Sequence, residues 1–251
     1  MPLKIHSIGD IDPAGLKVAA PTRNASGGLN ANLLYEGDKL VFTTPKMSCP
    51  FGVSSFTDKD NSRAATKYSL DLSFRGMHAD PKMAAFHDFL HAVDKTVIDA
   101  ALANCEVWFN KKMDIAVLRE LYSSSVRESQ PKLGKDGNPV KYPPMFRAKI
   151  SYGQTAYNTE AYNPKRQPVN PLDVGKGDSV IGIVEVTGIY FINRRSFGIS
   201  YRLLQIMVFP SLRIGGTCMI DFTDDAENAD EDVAVAEGSP VGEHYDDNMS
   251  A

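Results

Sequence analysis

Cysteine is scarce in this chain of 251 residues, which contains only Cys49, Cys105 and Cys218. The three cysteines form no CxxC pair, and an odd number cannot all be paired within one chain. This usage argues against a disulfide framework and for a reducing compartment.

Long apolar runs are also absent. No window approaches the ~18 uninterrupted apolar residues that a membrane span needs. The residues after Met1 lack the apolar region of a secretory signal. We therefore expect an intracellular protein without a membrane partner.

Lysine and arginine are missing altogether from residues 221–251, which carry 11 Asp and Glu and therefore a charge of −11. Little apolar content accompanies these acids, so we expect a disordered acidic tail. A polyanion attached to the chain can occupy a basic surface when no other anion is bound. The residues that we assign to contacts of this tail are Asp224, Asp225, Asp230, Glu231, Asp232, Tyr245, Asp246 and Asp247.

The remaining charge is unevenly distributed. Residues 1–120 carry 14 Lys and Arg and 14 Asp and Glu, whereas residues 121–220 carry 13 Lys and Arg against 6 acids, or +7. Aromatic residues are frequent in this basic block. Cations beside exposed rings suit a single-stranded nucleic acid, because its phosphates need neutralising and its unpaired bases need a stacking surface.

Two stretches predict strands, residues 39–44 and 67–74. In the second, Tyr68, Leu70, Leu72 and Phe74 alternate with polar residues and would share one face. Between the two stretches, the prolines and glycine of residues 45–52 predict an irregular turn.

A long helix is predicted from Pro81 to about Cys105. Asp80 is a suitable N-cap, and proline is favoured at the first helical position. Apolar residues then recur every three or four positions, as expected of one buried stripe: Met83, Phe86, Leu90, Val93, Val97 and Ala101. A shorter helix is predicted over residues 115–122, with Asp114 as its cap.

The C-terminal half predicts hairpins. Prolines and glycines make residues 129–144 a long hairpin loop, and residues 180–192 and 199–209 form two strands joined by a turn at 193–198. One face of the first strand would carry Val184, Val186, Gly188, Tyr190 and Ile192, with a bulge or bend at Gly188. Together these elements predict a mainly β protein, a small closed or partly closed barrel.

We expect three parts: an extended or mobile N-terminal segment (1–32), one binding domain with a helical insertion (33–220), and the acidic tail (221–251). The basic groove would be lined by residues 132–149 and by the 179–209 hairpin. Tyr190 and Trp108 remain open between core and contact, and the hairpin tip remains open between a contact and an exposed solvated turn. The candidate contacts are Lys46, Lys132, Lys135, Lys141, Tyr142, Arg147, Lys149, Tyr190, Arg194, Arg195, Phe197, Tyr201 and Arg202.

Three strings carry a family resemblance: VTGIYFINRRSFGISYRLLQ at 186–205, PKMSCPFGV at 45–53 and YPPMFRAK at 142–149. With the acidic tail, they make residues 30–251 resemble the single-stranded-DNA-binding proteins of large nucleocytoplasmic DNA viruses. That family is related to the replication single-strand binders of small-tailed phages. The chain departs from the phage relatives because it does not end in an aromatic residue, and Tyr245 is the nearest one.

The resemblance implies a five-stranded oligonucleotide-binding (OB) barrel with a long inserted helix. It also implies non-catalytic single-stranded DNA binding in DNA replication, recombination or repair. The tail would contact replication proteins such as a polymerase or a helicase–primase, and the phage relatives imply a homodimer. A viral protein of this kind would act in the nucleus or at a cytoplasmic replication site.

Motifs that would indicate an enzyme are weaker than those that indicate DNA binding. His87 and His91 have the spacing of helical zinc ligands, but catalytic zinc sites use three protein ligands and no third is evident. The GKGDS string at 175–179 lacks the phosphate-loop pattern. We therefore expect no catalysis, metal or cofactor. Two other functional hypotheses stay open: a protein-interaction module with an acidic tail, and RNA binding on the same fold.

Overall fold

A computed structural model describes residues 3–23, 28–57, 66–133, 136–153 and 158–211, except for the side chain of Lys132. The strands are β1 (His6–Ser7), β2 (Leu16–Val18), β3 (Thr22–Arg23), β4 (Leu29–Ala31), β5 (Leu33–Tyr35), β6 (Asp38–Lys39), β7 (Val41–Thr43), β8 (Met47–Ser48), β9 (Val53–Phe56), β10 (Lys67–Ser73), β11 (Tyr122–Ser123), β12 (Val126–Arg127), β13 (Lys132–Leu133), β14 (Pro139–Val140), β15 (Met145–Ile150), β16 (Glu160–Tyr162), β17 (Pro168–Val169), β18 (Ser179–Ile192) and β19 (Ser196–Phe209). The helices are α1 (Pro81–Ala103), α2 (Cys105–Phe109) and α3 (Ile115–Leu121).

Five segments close into a barrel. β8, β10, β15, β19 and β18 are hydrogen-bonded in that order, and β18 pairs with both β19 and β8, so the ring has no free edge. β15 and β19 are parallel, whereas the other pairs of the ring are antiparallel. β7 precedes β8 on the same side and also pairs with β18. This confirms the mainly β, OB-like barrel with a long helix.

The barrel core is built by the inward residues of each strand. Phe42, Leu72, Phe146, Val184 and Leu203 come from five different strands, and each is fully buried. Because side chains alternate along a strand, the residues next to each of these in its strand are directed to the opposite face, away from the core.

Helix α1 begins as its sequence predicts. The carboxylate of Asp80 accepts hydrogen bonds from the backbone N–H groups of Lys82 and Met83, and Pro81 occupies the first turn. The whole predicted apolar stripe is buried. Phe86, at its centre, packs against the rings of Phe42 and Phe146, with centroids 5.9 and 5.3 Å apart. The helix therefore seals part of the barrel core.

The C-terminal end of the long helix and the residues after it differ from the sequence prediction. The helix predicted to reach Cys105 ends at Ala103, and α2 follows it. Cys105 is buried at the start of α2, and Trp108 and Phe109 are buried further along it. Trp108, open in the sequence between core and contact, thus lies in the core. α3 begins after Asp114, which accepts a hydrogen bond from the Val117 N–H.

Gly188 carries the predicted bulge. Its φ is 144°, and a Cβ there would lie 2.9 Å from the carbonyl oxygen of Ala31. The register of β18 against β19 shifts between Val186 and Gly188. The prediction of one continuous face is therefore wrong beyond this point. Ile189 is fully buried, whereas Ile192 is 55% exposed.

Two loop predictions also need correction. Residues 45–52 contain β8, where Met47 is buried and pairs with Val180, so part of the predicted turn closes the barrel. The turn between β18 and β19 is tighter than predicted. Asn193 and Arg194 have positive φ, and the Arg195 N–H donates a hydrogen bond to the Ile192 carbonyl oxygen. The predicted 129–144 hairpin appears as the pairing of β13 with β14.

The N-terminal segment adds short strands. His6 pairs in parallel with Phe42, and β2 pairs with β5. Within the described residues, no helix is long and apolar enough to cross a membrane.

Candidate nucleic-acid interface

A groove of about 470 Å³ lies on the outer face of the barrel. It is lined by residues of β9, β10, β15, β18 and β19 and by the segment after β15. Its basic side chains are those of Lys67, Arg147, Lys149 and Arg202, and its rings are those of Phe56, Tyr68 and Tyr152.

Strand register brings these basic residues together. Along β15, Phe146, Ala148 and Ile150 are buried, whereas Arg147 and Lys149 between them are exposed. Lys149 lies opposite Ser69 of β10 on one side and Arg202 of β19 on the other. Two neighbouring strands therefore place cationic groups at the same level, and Lys67 lies two residues from Ser69 on the third.

Buried carboxylates hold the two arginines. Arg147 donates from Nε and Nη2 to the two carboxylate oxygens of Asp71, each at 2.6 Å, and this pairing raises the pKa of Arg147. Arg202 donates from Nη2 to Glu185, which Lys39 also contacts at 3.2 Å. The side chains of Asp71 and Glu185 are only 3% and 8% exposed. Their charges offset much of the positive charge of the two guanidinium groups.

Lys149 is held differently. Its ammonium group donates to the Ser200 hydroxyl at 2.8 Å, and that partner is neutral. Partial burial, together with the nearby charge of Lys67, lowers the pKa of Lys149. An anion placed in the groove would reverse this effect, since an opposite charge favours the protonated form.

The rings at the groove are accessible. Phe56 is 63% exposed and lies opposite Lys67 in the β9–β10 pair. Tyr152 is 41% exposed, and its ring meets that of half-buried Tyr68 edge to face, with centroids 6.0 Å apart. Exposed rings beside cations provide the two components that single-strand binding needs.

The structure brings only some of the predicted contacts into this groove. Arg147, Lys149 and Arg202 line it. Tyr190 is half-buried on the outward side of the bulged strand, opposite Gly198, where a Cβ would lie 2.8 Å from the tyrosine hydroxyl. At the hairpin tip, Arg195 is exposed, and Arg194 has a buried Nη1 without a hydrogen-bond partner among the described residues.

Other predicted basic residues lie elsewhere. Lys46 sits 4.2 Å above the ring centroid of Phe209 and lines a separate cavity. Lys141 pairs with Glu128 at 3.1 Å, and its neighbour Tyr142 is 53% exposed. Lys135, the side chain of Lys132 and every predicted tail contact lie outside the described residues.

The prediction that Phe197 and Tyr201 contact nucleic acid is wrong. Phe197 is fully buried, with its ring against those of Phe109 and Tyr122 at 5.2 and 5.1 Å. Tyr201 is 4% exposed, and its hydroxyl lies 2.6 Å from that of Ser125. Both residues belong to β19 and face inward there, because the tight turn ends before Phe197.

Sequence reasoning missed Phe56, Lys67, Tyr68 and Tyr152 as groove residues, although Tyr152 lies in the basic block of residues 121–220, where aromatic residues are frequent. Lys67 and Phe56 lie in the neutral first half of the chain, where charge blocks give no signal. Their opposition across β9 and β10 was the available signal, but it depends on a strand that the sequence did not predict.

Residues 80–217, more than half of the chain, match the family of unknown function DUF5871. The chain belongs to this family. A relative of this DUF5871 chain is the uncharacterized protein L291 of Acanthamoeba polyphaga mimivirus, 25% identical over 175 residues. The match covers 68% of this chain but only 26% of the mimivirus protein, so the chain spans about a quarter of the length of that curated relative.

Two solved structures resemble the DUF5871 chain. The crystal structure of gp2.5, a single-stranded DNA binding protein encoded by bacteriophage T7, has a TM-score of 0.43 and 14% identity, covering 74% of this chain and 96% of that chain. The single-stranded DNA-binding protein from bacteriophage Enc34 in complex with ssDNA has a TM-score of 0.38 and 13% identity, covering 78% and 97%. Identities and TM-scores this low do not indicate which residues of the DUF5871 chain bind a ligand.

Proposed function

We propose that this protein binds single-stranded DNA without catalysis and with little sequence preference. One observation carries the proposal: the outer barrel groove combines four basic side chains with the exposed rings of Phe56 and Tyr152. The basic groups would contact phosphates, and the rings would stack on unpaired bases, whose faces a duplex hides.

The groove chemistry favours a nucleic acid over an acidic protein. An acidic peptide would use the lysines but has no need of flat, exposed rings beside them. Arg202 also lines the groove, and guanidinium groups are well suited to phosphate oxygens.

We further propose that the protein serves viral DNA replication, recombination or repair inside an infected cell, as its resemblance to the binders of large nucleocytoplasmic DNA viruses implies. The acidic tail would compete with DNA for basic surface through its charge of −11 and, when displaced, contact a polymerase or helicase–primase. Homodimer formation is part of the same proposal, and sedimentation velocity tests it.

Fluorescence titration with labelled oligo-dT, oligo-rU and duplex DNA at two salt concentrations tests the binding function. We expect oligo-dT to bind most tightly and its affinity to fall as salt rises. Preference for oligo-rU would indicate an RNA binder. Absence of binding to all three would favour the protein-interaction alternative.

Charge reversal locates the site. Lys67→Glu and Lys149→Glu should each weaken oligo-dT binding. Lys112→Glu, the same change beyond α2, is the matched control, since Lys112 is exposed and lies outside the groove. Equal losses in all three variants would show that overall charge, rather than the groove, determines binding.

A further inference from the structure

His87 and His91 lie one turn apart on α1, with their Nε2 atoms 3.3 Å apart. Zinc binds imidazole nitrogens at about 2.0–2.1 Å, so two nitrogen ligands of a tetrahedral ion lie about 3.3–3.4 Å apart. The two nitrogens thus already have the separation that one metal ion requires.

Packing holds one of the two histidines, His87, in place. The ring of Phe74 packs edge to face on that of His87, with centroids 5.2 Å apart, and the His87 side chain is only 18% exposed. His91 is exposed, so the shared position between the two Nε2 atoms is open to solvent.

A carboxylate faces the other nitrogen of His87. Nδ1 of His87 lies 3.5 Å from Oδ1 of Asp88. A carboxylate on that side favours the proton on Nδ1 and leaves the Nε2 lone pair directed at His91, the arrangement that commonly supports metal-bound histidines. The next cation along the helix, Lys95, pairs with Asp99 at 2.6 Å and so does not occupy the site.

We propose that His87 and His91 form a binding site for a divalent transition-metal ion, with two protein ligands and the remaining positions filled by water. Imidazole ligands select zinc, copper or nickel over magnesium and calcium, which prefer oxygen. No cluster of three or more His, Cys, Asp and Glu suited to a metal occurs in the described part of the chain, so this is an open site without a third protein ligand. The proposal is independent of DNA binding.

Calorimetric titration of the full, untagged chain with ZnCl2 in excess MgCl2 tests the proposal. Magnesium occupies carboxylate sites, including those of the acidic tail, and leaves imidazole sites to zinc. We expect one zinc ion per chain. The electron paramagnetic resonance spectrum of bound Cu²⁺ should show coupling to two imidazole nitrogens.

The decisive variant keeps the number of histidines and changes their spacing. In His91→Ala combined with Ala85→His, the histidines lie two positions apart, at 85 and 87, and helical residues at that spacing do not face each other; Ala85 is exposed, and Asp88 is kept. Zinc affinity should then fall by on the order of 10²-fold, because two linked ligands are reduced to one. His91→Ala alone should lose as much, whereas His78→Ala should bind as the unchanged protein does.

His91 is exposed, so its replacement should leave the fold intact, and circular dichroism verifies this. Unchanged zinc affinity in the folded respaced variant would overturn the proposal. So would the absence of saturable zinc or copper binding to the unchanged chain.

Discussion

Arg147 and Asp71 form a two-pronged ion pair across β15 and β10, with Nε and Nη2 each 2.6 Å from a carboxylate oxygen. The carboxylate is buried, whereas the Arg147 side chain is 41% exposed and lies in the groove. The pair therefore orients Arg147 rigidly but removes most of its net charge from the groove. Glu185 also offsets the charge of Arg202, but it contacts only the Nη2 of that guanidinium group.

Asp71→Asn should steepen the salt dependence of DNA binding. The substitution leaves the charge of Arg147 uncompensated, which adds one phosphate-neutralising charge. On single strands this changes the slope of log affinity against log salt by about −0.7. Titrations at four or more salt concentrations measure the slope.

Loss of two charge-assisted hydrogen bonds should also lower the free energy of unfolding of Asp71→Asn, by about 1–3 kcal/mol. Asp99→Asn is the matched control, because it uncovers Lys95 on α1 without touching the groove. An unchanged slope in folded Asp71→Asn would mean that Arg147 does not face the DNA.

Phe56→Ala and Tyr152→Ala should each weaken single-strand binding by about 1–3 kcal/mol if the ring stacks on a base. Phe56 is 63% exposed and Tyr152 is 41% exposed, so thermal unfolding should change little for Phe56→Ala and only modestly for Tyr152→Ala. Val140→Ala removes an exposed apolar side chain outside the groove and is the control. Full affinity in both aromatic variants would exclude stacking at these rings.

Phe197→Ala should behave in the opposite way. Its ring is fully buried among Phe109, Tyr122 and Phe191, so truncation should lower the free energy of unfolding by about 3–5 kcal/mol. Denaturant unfolding measures this loss. Under conditions where the variant is folded, its oligo-dT affinity should match that of the unchanged protein, and a selective loss of affinity would return Phe197 to the interface.

Local features of this fold could be predicted from the sequence, whereas contacts between distant strands could not. Helix α1 is predictable because its cap, its proline and its apolar stripe are local signals. The groove is not, because Lys67 and Lys149 are 82 positions apart and meet only through the β10–β15 pairing. Periodicity along one strand carries no information about its partner's register.

Gly188 shows a second limit. Its sequence context predicts a bulge, and the structure has one, but a bulge reverses which alternate residues face inward. Phe197 fails as a loop residue for a related reason. Positive φ at Asn193 and Arg194 tightens the turn, and Phe197 is already in β19.

DNA binding should weaken at alkaline pH through Lys149. Partial burial and the charge of Lys67 lower the pKa of Lys149 from 10.5, so Lys149 loses its proton earlier than an ordinary lysine as pH rises. Loss of that proton removes a phosphate contact. Lys149→Arg keeps its charge over this range and should flatten the pH profile of oligo-dT affinity. Identical profiles for the two proteins would contradict the assignment.

The same shift affects stability in the opposite direction. A lysine whose pKa is lowered by folding is unfavourable in its charged form, so it destabilises the folded state at pH values below its folded pKa. That penalty should disappear as pH rises from the folded pKa toward 10.5. Lys149→Met, which has no charge to bury, should therefore stabilise the protein more at neutral than at alkaline pH.

Deleting residues 222–251 should raise the affinity for single strands, most strongly at low salt. The segment from 221 carries 11 acids and no Lys or Arg, and it follows a block of charge +7 on the same chain, so its effective concentration near basic surface is high. Salt screens this attraction, so the gain in affinity should shrink as ionic strength rises.

Replacing the acids of the segment by Asn and Gln at full length separates charge from length and should reproduce the deletion. The deletion should also abolish recruitment of a replication partner in a pull-down. A truncated protein that binds oligo-dT no more tightly than the full chain, at low and high salt alike, would exclude competition and leave the acidic segment with a role in solubility alone.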